Sequence, residues 1–241
     1  MRDVGDQINT VHGAGSINAT QRGDININGQ PPEQRAVTQK AAADDRIRVL
    51  MLAANPVSSG RLAIDEEARQ IGERLRLADE RDAYELITCW AVRPLDLLQY
   101  LNQHQPQIVH FSGHGDSAGQ IVLAAGRGRE QRVSADALGE LFRVANHRIR
   151  VVLLNACWSA AAVRAIGQHV DYVIGMNAPV SDEAATVFAA AFYLALGFGC
   201  PVPQAFDQAA AALAIHGLAG RHIPELSTRL HAKPFLTEGP R

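Results

Sequence analysis

From residue 46 onward, apolar runs of strand length alternate with longer amphipathic stretches, and this alternation constrains the fold more than any other feature of the chain. The runs are IRVLMLAANP (47–56), YELITCWAV (84–92), QIVHFSGHG (107–115), IRVVLLNAC (149–157) and DYVIGMN (171–177). Each is short, carries few charges and ends in small or polar residues, the pattern of a strand buried on both faces. Between them lie helical patterns. In GRLAIDEEARQIGERLRLAD (60–79), Leu62, Ile64, Ile71, Leu75 and Ala78 recur at helical intervals while charges fill the opposite face. RPLDLLQYLNQHQP (93–106) is stopped by Pro106, and SADALGELFRVANH (134–147) starts behind Ser134 as an N-cap. WSAAAVRAIGQHV (158–170), SDEAATVFAAAFYLALGFG (181–199) and PQAFDQAAAALAIHG (203–217) continue the series, the second capped by Ser181 or Asp182. GQIVLAAGRGREQRVS (119–134) reads as a β-hairpin turning at Gly126 and Gly128, and from Leu218 the patterning is weak. Strands alternating with helices predict an α/β fold, a mostly parallel sheet covered by helices on both faces.

The first 45 residues are different. In residues 1–30, Gly5-Asp6-Gln7-Ile8-Asn9, Gly15-Ser16-Ile17-Asn18 and Gly23-Asp24-Ile25-Asn26 repeat one theme, single β-branched residues set among Asn, Thr and turn-forming Gly. Such a β-prone segment buries little alone and gains most by stacking on copies of itself or on a partner with a matching motif; the other expectation is a disordered polar tail. Residues 31–45, opened by Pro31-Pro32 and closed by Asp44-Asp45, read as a linker, and 46–241 as the folded domain.

Charge and composition exclude several classes. A net charge of -2 and a pI near 6.5 give no basic footprint for nucleic acid. No apolar run reaches the length of a membrane span, and the N-terminus has no secretory h-region. Cys89, Cys157 and Cys200 are too few and scattered for a disulfide framework, so the expectation is a reduced, cytoplasmic protein. There is no P-loop, and the nine histidines show no metal-ligand spacing, so neither a cofactor nor a metal is expected.

In parallel sheets, sites gather at the carboxyl ends of the strands. Two chemically capable side chains emerge there: His114, between Gly113 and Gly115, and Cys157. Their strands can be neighbours, about 4.8 Å apart, which brings the pair within reach of each other. A cysteine beside a histidine is the constellation of nucleophilic catalysis, with His114 as general acid and base. The backbone N–H groups of Gly115 and Cys157 could face a tetrahedral oxyanion. A helix expected to begin at Trp158-Ser159 would favour the thiolate through its dipole. The plain alternative is a small buried cysteine and a capping histidine. His110, inside its strand, reads as a core residue, and Cys89 and Cys200, in apolar contexts, as structural ones.

VHFSGHG followed by VVLLNACWS resembles the caspase-like cysteine peptidases of clan CD. Residues 46–215 resemble more closely the bacterial CHAT group, through VLMLAANP, LAIDEEARQI, WAVRPLDLLQYL, PQIVHFSGHG, VVLLNACWS and YVIGMNAPVSDEAATVFAAAFY. The resemblance implies a caspase-like three-layer αβα sandwich, a His114/Cys157 dyad, and a cysteine endopeptidase acting on a protein substrate. It also implies a setting in bacterial defence or regulated death, under an upstream activator or sensor, with residues 1–30 as the segment for recruitment or self-assembly. A non-catalytic sensor or interaction domain on the same fold is the alternative. Specificity carries over less directly. Related metacaspases place an Asp two residues before the nucleophile to hold a basic side chain, and here that position is Asn155. Candidate substrate-binding residues are therefore Asn155, Asp116, Met176, Asn177 and Asp182 on the expected rim, with Glu183 a further acid nearby. No pair of arginines is placed to hold an acidic side chain.

Overall fold

The computed structural model describes residues 46–235, apart from 57–59, 61, 80, 127, 146 and 147. The repeat segment 1–30, the linker 31–45 and the last six residues lie outside the described residues.

Six strands form one sheet: β1 (Ile47–Ala54), β2 (Tyr84–Cys89), β3 (Ile108–Gly113), β6 (Val151–Asn155), β7 (Tyr172–Met176) and β8 (Pro224–Thr228), in the order β2-β1-β3-β6-β7-β8. The first five run parallel, and β8 adds an antiparallel edge beside β7. A separate hairpin pairs β4 (Ile121–Ala124) with β5 (Glu130–Val133). The helices are α1 (Ile64–Leu77), α2 (Pro94–His104), α3 (Ala135–Ala145), α4 (Ala160–Ile166), α5 (Asp182–Gly197) and α6 (Val202–Ile215).

Strand alternation makes the three layers. Successive side chains on a strand point to opposite faces. Val49, Met51 and Ala53 of β1 therefore join one core with α1, α5 and α6, while Leu50, Leu52 and Ala54 join a second core with α2, α3 and α4. The expected fold class, mixed α/β with a mostly parallel central sheet and helices on both faces, is the one observed. Capping is as expected at two helices. Ser134 accepts the Ala137 N–H at 3.3 Å, and of the two candidates before α5 it is Ser181 that accepts the Ala184 N–H, at 3.2 Å.

Two features depart from expectation. β8, PELST, lies in the stretch read as weakly patterned. It opens with proline, carries three polar residues and pairs on one side only, so nothing about its composition demands a strand. The helix after Cys157 begins at Ala160 rather than at Trp158 and is seven residues long. Two residues, Trp158 and the N-cap Ser159, separate Cys157 from its first residue.

Candidate active site

Strand register places the His and the Cys side by side. β3 and β6 are paired neighbours, with Ser112 opposite Asn155. His114 and Cys157 each lie two residues beyond those partners, at one level on the carboxyl edge of the sheet. Both line one cleft, shared with Glu67 of α1, Asn155 and Asp182.

Backbone contact supplies the rest. A Cβ built on Gly115 would stand 2.0 Å from the Cys157 carbonyl oxygen, so the two segments touch where any other residue would collide. Gly115 forms an isolated antiparallel bridge with Ile121, flanked by hydrogen bonds from the Val122 N–H to the His114 carbonyl (2.9 Å) and from the Asp116 N–H to the Gln120 carbonyl (3.0 Å). In that arrangement the Gly115 N–H points away from the hairpin and is not consumed by it. On the Cys157 side, Trp158 holds φ at 58°. Left-handed values are uncommon for a bulky residue and gather at functional turns.

His114 Nε2 lies 2.7 Å from the Gly60 carbonyl oxygen, which can only accept. Nε2 therefore carries the proton, and Nδ1 is the nitrogen left to take up or deliver one. Cys157 Sγ receives the Val180 N–H at 3.4 Å, a partner suited to a sulfur anion. The imidazole is thus oriented from the α1 side of the cleft and the thiol from the loop before α5.

Beneath the pair lies a polar cluster in the core. Glu67 is 4% exposed and its carboxylate accepts from Ser112 Oγ, from Asn155 Nδ2 and from His110 Nε2 at 3.1 Å. His110 is fully buried, and its Nδ1 stands 3.2 Å from the Tyr193 hydroxyl. Burial first, and then the Glu67 charge, push the Tyr193 pKa well above the usual tyrosine value, so its hydroxyl stays a proton donor to His110. Replacing Tyr193 by Phe leaves His110 Nδ1 buried without a donor, and is expected to cost about 1–3 kcal/mol of stability by urea unfolding, with fold and Cys157 position retained. His110 is thus the core histidine that its position inside the strand suggested.

The substrate-binding candidates divide. Asn155 and Asp182 line the cleft. Asn155 Nδ2 also reaches the Ala185 carbonyl at 3.1 Å, while its buried Oδ1 has no partner among the described residues. Asp182 Oδ2 accepts the Ala63 N–H at 3.2 Å. Asp116 does not line the cleft. Its carboxylate accepts the N–H groups of Ala118 and Gln120, both at 3.0 Å, and pairs with Arg132 at 2.5 Å. Burial alone would raise its pKa, but the Gln120 N–H, the Arg132 guanidinium and the Ala118 N–H outweigh that and hold the carboxyl below its ordinary value. A carboxyl depressed on folding stabilises the fold above its ordinary pKa and loses that contribution as pH falls, so Asp116 is a structural fastener of the hairpin. Met176 and Asn177 also fall outside the cleft. Met176 is fully buried, and Asn177 is turned to the far segment, its N–H on the Ile223 carbonyl (2.9 Å) and its side chain on the His222 carbonyl (3.3 Å). The strand containing them ends at the same rim, but two strands away from β3.

Glu67, Ser112 and the Gly60 carbonyl are further site members, none of them in the small or polar tail that follows an apolar run. Glu67 alone left a readable signal: it falls on the buried stripe of α1 with Ile64, Ile71 and Leu75, a charge where the helix should be apolar. Cys89 and Cys200 pack half-buried against the two cores, and burial pushes the Cys89 thiol pKa up. Among the described residues no group of His, Cys, Asp and Glu is placed to hold a metal ion, and no helix is long and apolar enough to cross a membrane.

Comparison with known proteins gives the family. A Roc-COR-CHAT protease from an unknown prokaryotic organism is 28% identical over 168 residues, which are 67% of this chain and 16% of that protein. A protein named Probable protease, from Gillisia limnaea, is 24% identical over 150 residues, 61% of this chain and 26% of that protein. The chain therefore spans a minor part of the length of the curated relatives it matches. Among solved structures, a secreted C11 cysteine protease from Bacteroides thetaiotaomicron, in complex with an irreversible peptide inhibitor, aligns with a TM-score of 0.47 at 17% identity, over 70% of this chain and 59% of that one. The CHAT domain family model matches residues 19–217, starting ahead of the motifs that begin at residue 46. With most of its length inside that match, this chain belongs to the CHAT domain family.

Proposed function

We propose that this chain is a cysteine endopeptidase in which Cys157 is the nucleophile and His114 the general acid and base. The observation that carries the reading is the contact of the Gly115 and Cys157 backbones, which delivers an oriented imidazole and a thiol to one cleft. His114 Nδ1 takes the thiol proton and Cys157 Sγ attacks the scissile carbonyl carbon. The carbonyl oxygen becomes an anion that the Gly115 and Cys157 N–H groups can meet. Collapse of the tetrahedral adduct breaks the C–N bond, and the leaving amine takes the proton from His114. A water molecule, deprotonated by His114, then attacks the thioester, and the acid product leaves with the sulfur again protonated or paired with the imidazolium. The test is cleavage of a protein that co-purifies with the chain, followed by gel and mass spectrometry. Cleavage that persists in Cys157→Ala contradicts the reading and favours a non-catalytic sensor on the same fold.

The biological setting is an effector of bacterial defence or regulated death, held inactive until a partner, an assembly or a small-molecule signal releases it. Its support is the resemblance to CHAT proteins of that kind, together with a relative whose name joins CHAT to Roc and COR. Residues 1–30 would provide the recruiting or self-assembling surface, which their Gly/Ile/Asn repeats suit. Comparing the full chain with one starting at Asp44, by sedimentation and by activity with the activating partner, is expected to show a larger species and higher activity for the full chain. Identical size distributions and identical activity contradict this role.

A further inference from the structure

One buried carboxylate ties together the ends of the two strands that carry the dyad. Ser112 on β3 and Asn155 on β6 are register partners, and each stands two residues before its dyad member, His114 or Cys157. Both donate to Glu67 of α1, the hydroxyl of Ser112 to Oε2 and the amide of Asn155 to Oε1. His110, two residues earlier on β3, reaches Oε1 through Nε2 at 3.1 Å. Asn155 is turned to serve this bond. Its Nδ2 donates to Glu67 and to the Ala185 carbonyl, while Oδ1 stays buried with no partner among the described residues. Turning the amide over would set its oxygen against two acceptors. A buried acceptor without a partner is rare and calls for a reason, and here the reason is the bond to Glu67. The same helix begins beside the groups that orient the dyad. The segment leading into α1 carries the Gly60 carbonyl that holds His114 Nε2. The Ala63 N–H at its start donates to Asp182, two residues from the Val180 N–H that holds the Cys157 sulfur.

We infer that Glu67 is a positioning residue for the dyad: its carboxylate fixes the ends of β3 and β6 against α1, and through them the approach of His114 to Cys157. The inference rests on the peptidase reading above and names the residue that holds its geometry. Glu67 touches no reacting atom. The β3–β6 ladder ends at the Ser112–Asn155 rung, so the two tails beyond it are no longer held by strand pairing. A tie at that rung limits how far they can part. The demand is strict, because a misplacement of about 1 Å between reacting groups costs on the order of 100-fold in rate. Glutamine at position 67 keeps the shape but offers one acceptor oxygen in place of two, so the three bonds cannot persist as they stand. The fold can survive that loss while the spacing of imidazole and thiol does not.

The test is the pH profile of Cys157 alkylation by iodoacetamide in the full chain, read by mass spectrometry of the Cys157 peptide. A thiolate held by an imidazolium reacts below neutrality, whereas an ordinary thiol, with a pKa near about 8.5, hardly does. In Glu67→Gln the rate at about pH 6 is expected to fall on the order of 10-fold or more, while the rate at about pH 9.5, where an ordinary thiol is ionised too, stays within about threefold of wild type. Ser112→Ala cuts only the β3 arm and carries the same test if Glu67→Gln does not fold; its rate at about pH 6 is expected to fall about threefold or more. Tyr193→Phe, which removes the outer bond of the same cluster, is expected to lower the unfolding midpoint and leave the profile unchanged, which separates positioning from stability. Combining Glu67→Gln with Asn155→Asp reverses donor and acceptor across one pair, and is expected to bring the rate at about pH 6 back to within about threefold of wild type. A folded Glu67→Gln or Ser112→Ala with the wild-type profile overturns the inference and leaves the peptidase reading intact, as does a double variant no more reactive than Glu67→Gln. A wild type whose Cys157 reacts only as an ordinary thiol, like that of His114→Ala, overturns both.

Discussion

Gly115→Ala is expected to lower catalysis by about 100-fold or more by disturbing geometry alone, with His114 and Cys157 both still present. The added Cβ would stand 2.0 Å from the Cys157 carbonyl oxygen and 3.3 Å from its nitrogen, both backbone atoms that cannot swing aside as a side chain can. Gly115 does not adopt a left-handed φ, so the penalty is one of space and not of torsion. The segments must separate by more than an ångström. Overpacking of this kind costs about 1–3 kcal/mol. The effect on rate is larger, because a misplacement of about 1 Å between reacting groups costs on the order of 100-fold. Thermal unfolding should show a folded protein with a lowered midpoint, and peptide cleavage should fall by about 100-fold or more. Full activity in Gly115→Ala would mean that the His114 and Cys157 segments need not touch, and the site geometry described above would be wrong.

The second large effect concerns the dyad as a unit. Cys157→Ala and His114→Ala are each expected to lower kcat by roughly 10³-fold or more, and the double variant by no more than the worse single one. Residues that act on one proton and one nucleophile cannot contribute independently. Stability should barely move. Among the described residues, the Cys157 sulfur is held by Val180, and the His114 ring by a hydrogen bond to Gly60 in an exposed setting. Rates that fall additively in the double variant would show that the two residues serve separate functions.

The parts of the molecule that could be read in advance are those where hydrophobic pattern decides structure. β1, β3 and β6 are buried on both faces and could be nothing but central strands. β8 could not be foreseen, since its place is fixed by the edge β7 offers rather than by anything in PELST. The site shows the same division. His114 and Cys157 end apolar runs, so they could be found as strand-end residues. Their proximity depends on the Ser112–Asn155 register, a tertiary pairing that no local pattern encodes. Asp116, Met176 and Asn177 lie near the rim along the chain, but the hairpin consumes the Asp116 carboxylate and β7 stands one strand beyond β6. Glu67 is the reverse case. It lies far from both motifs in sequence, and helix packing carries it under them.

The central claim is that one thiol among three is a nucleophile because of His114. It is tested most directly by treating the full chain with a pool of peptidyl acyloxymethyl ketones and mapping the adduct by mass spectrometry. The account predicts a single adduct on Cys157, lost in His114→Ala, with Cys89 and Cys200 unmodified. Adducts spread over the three cysteines, or undiminished labelling of Cys157 in His114→Ala, would contradict it.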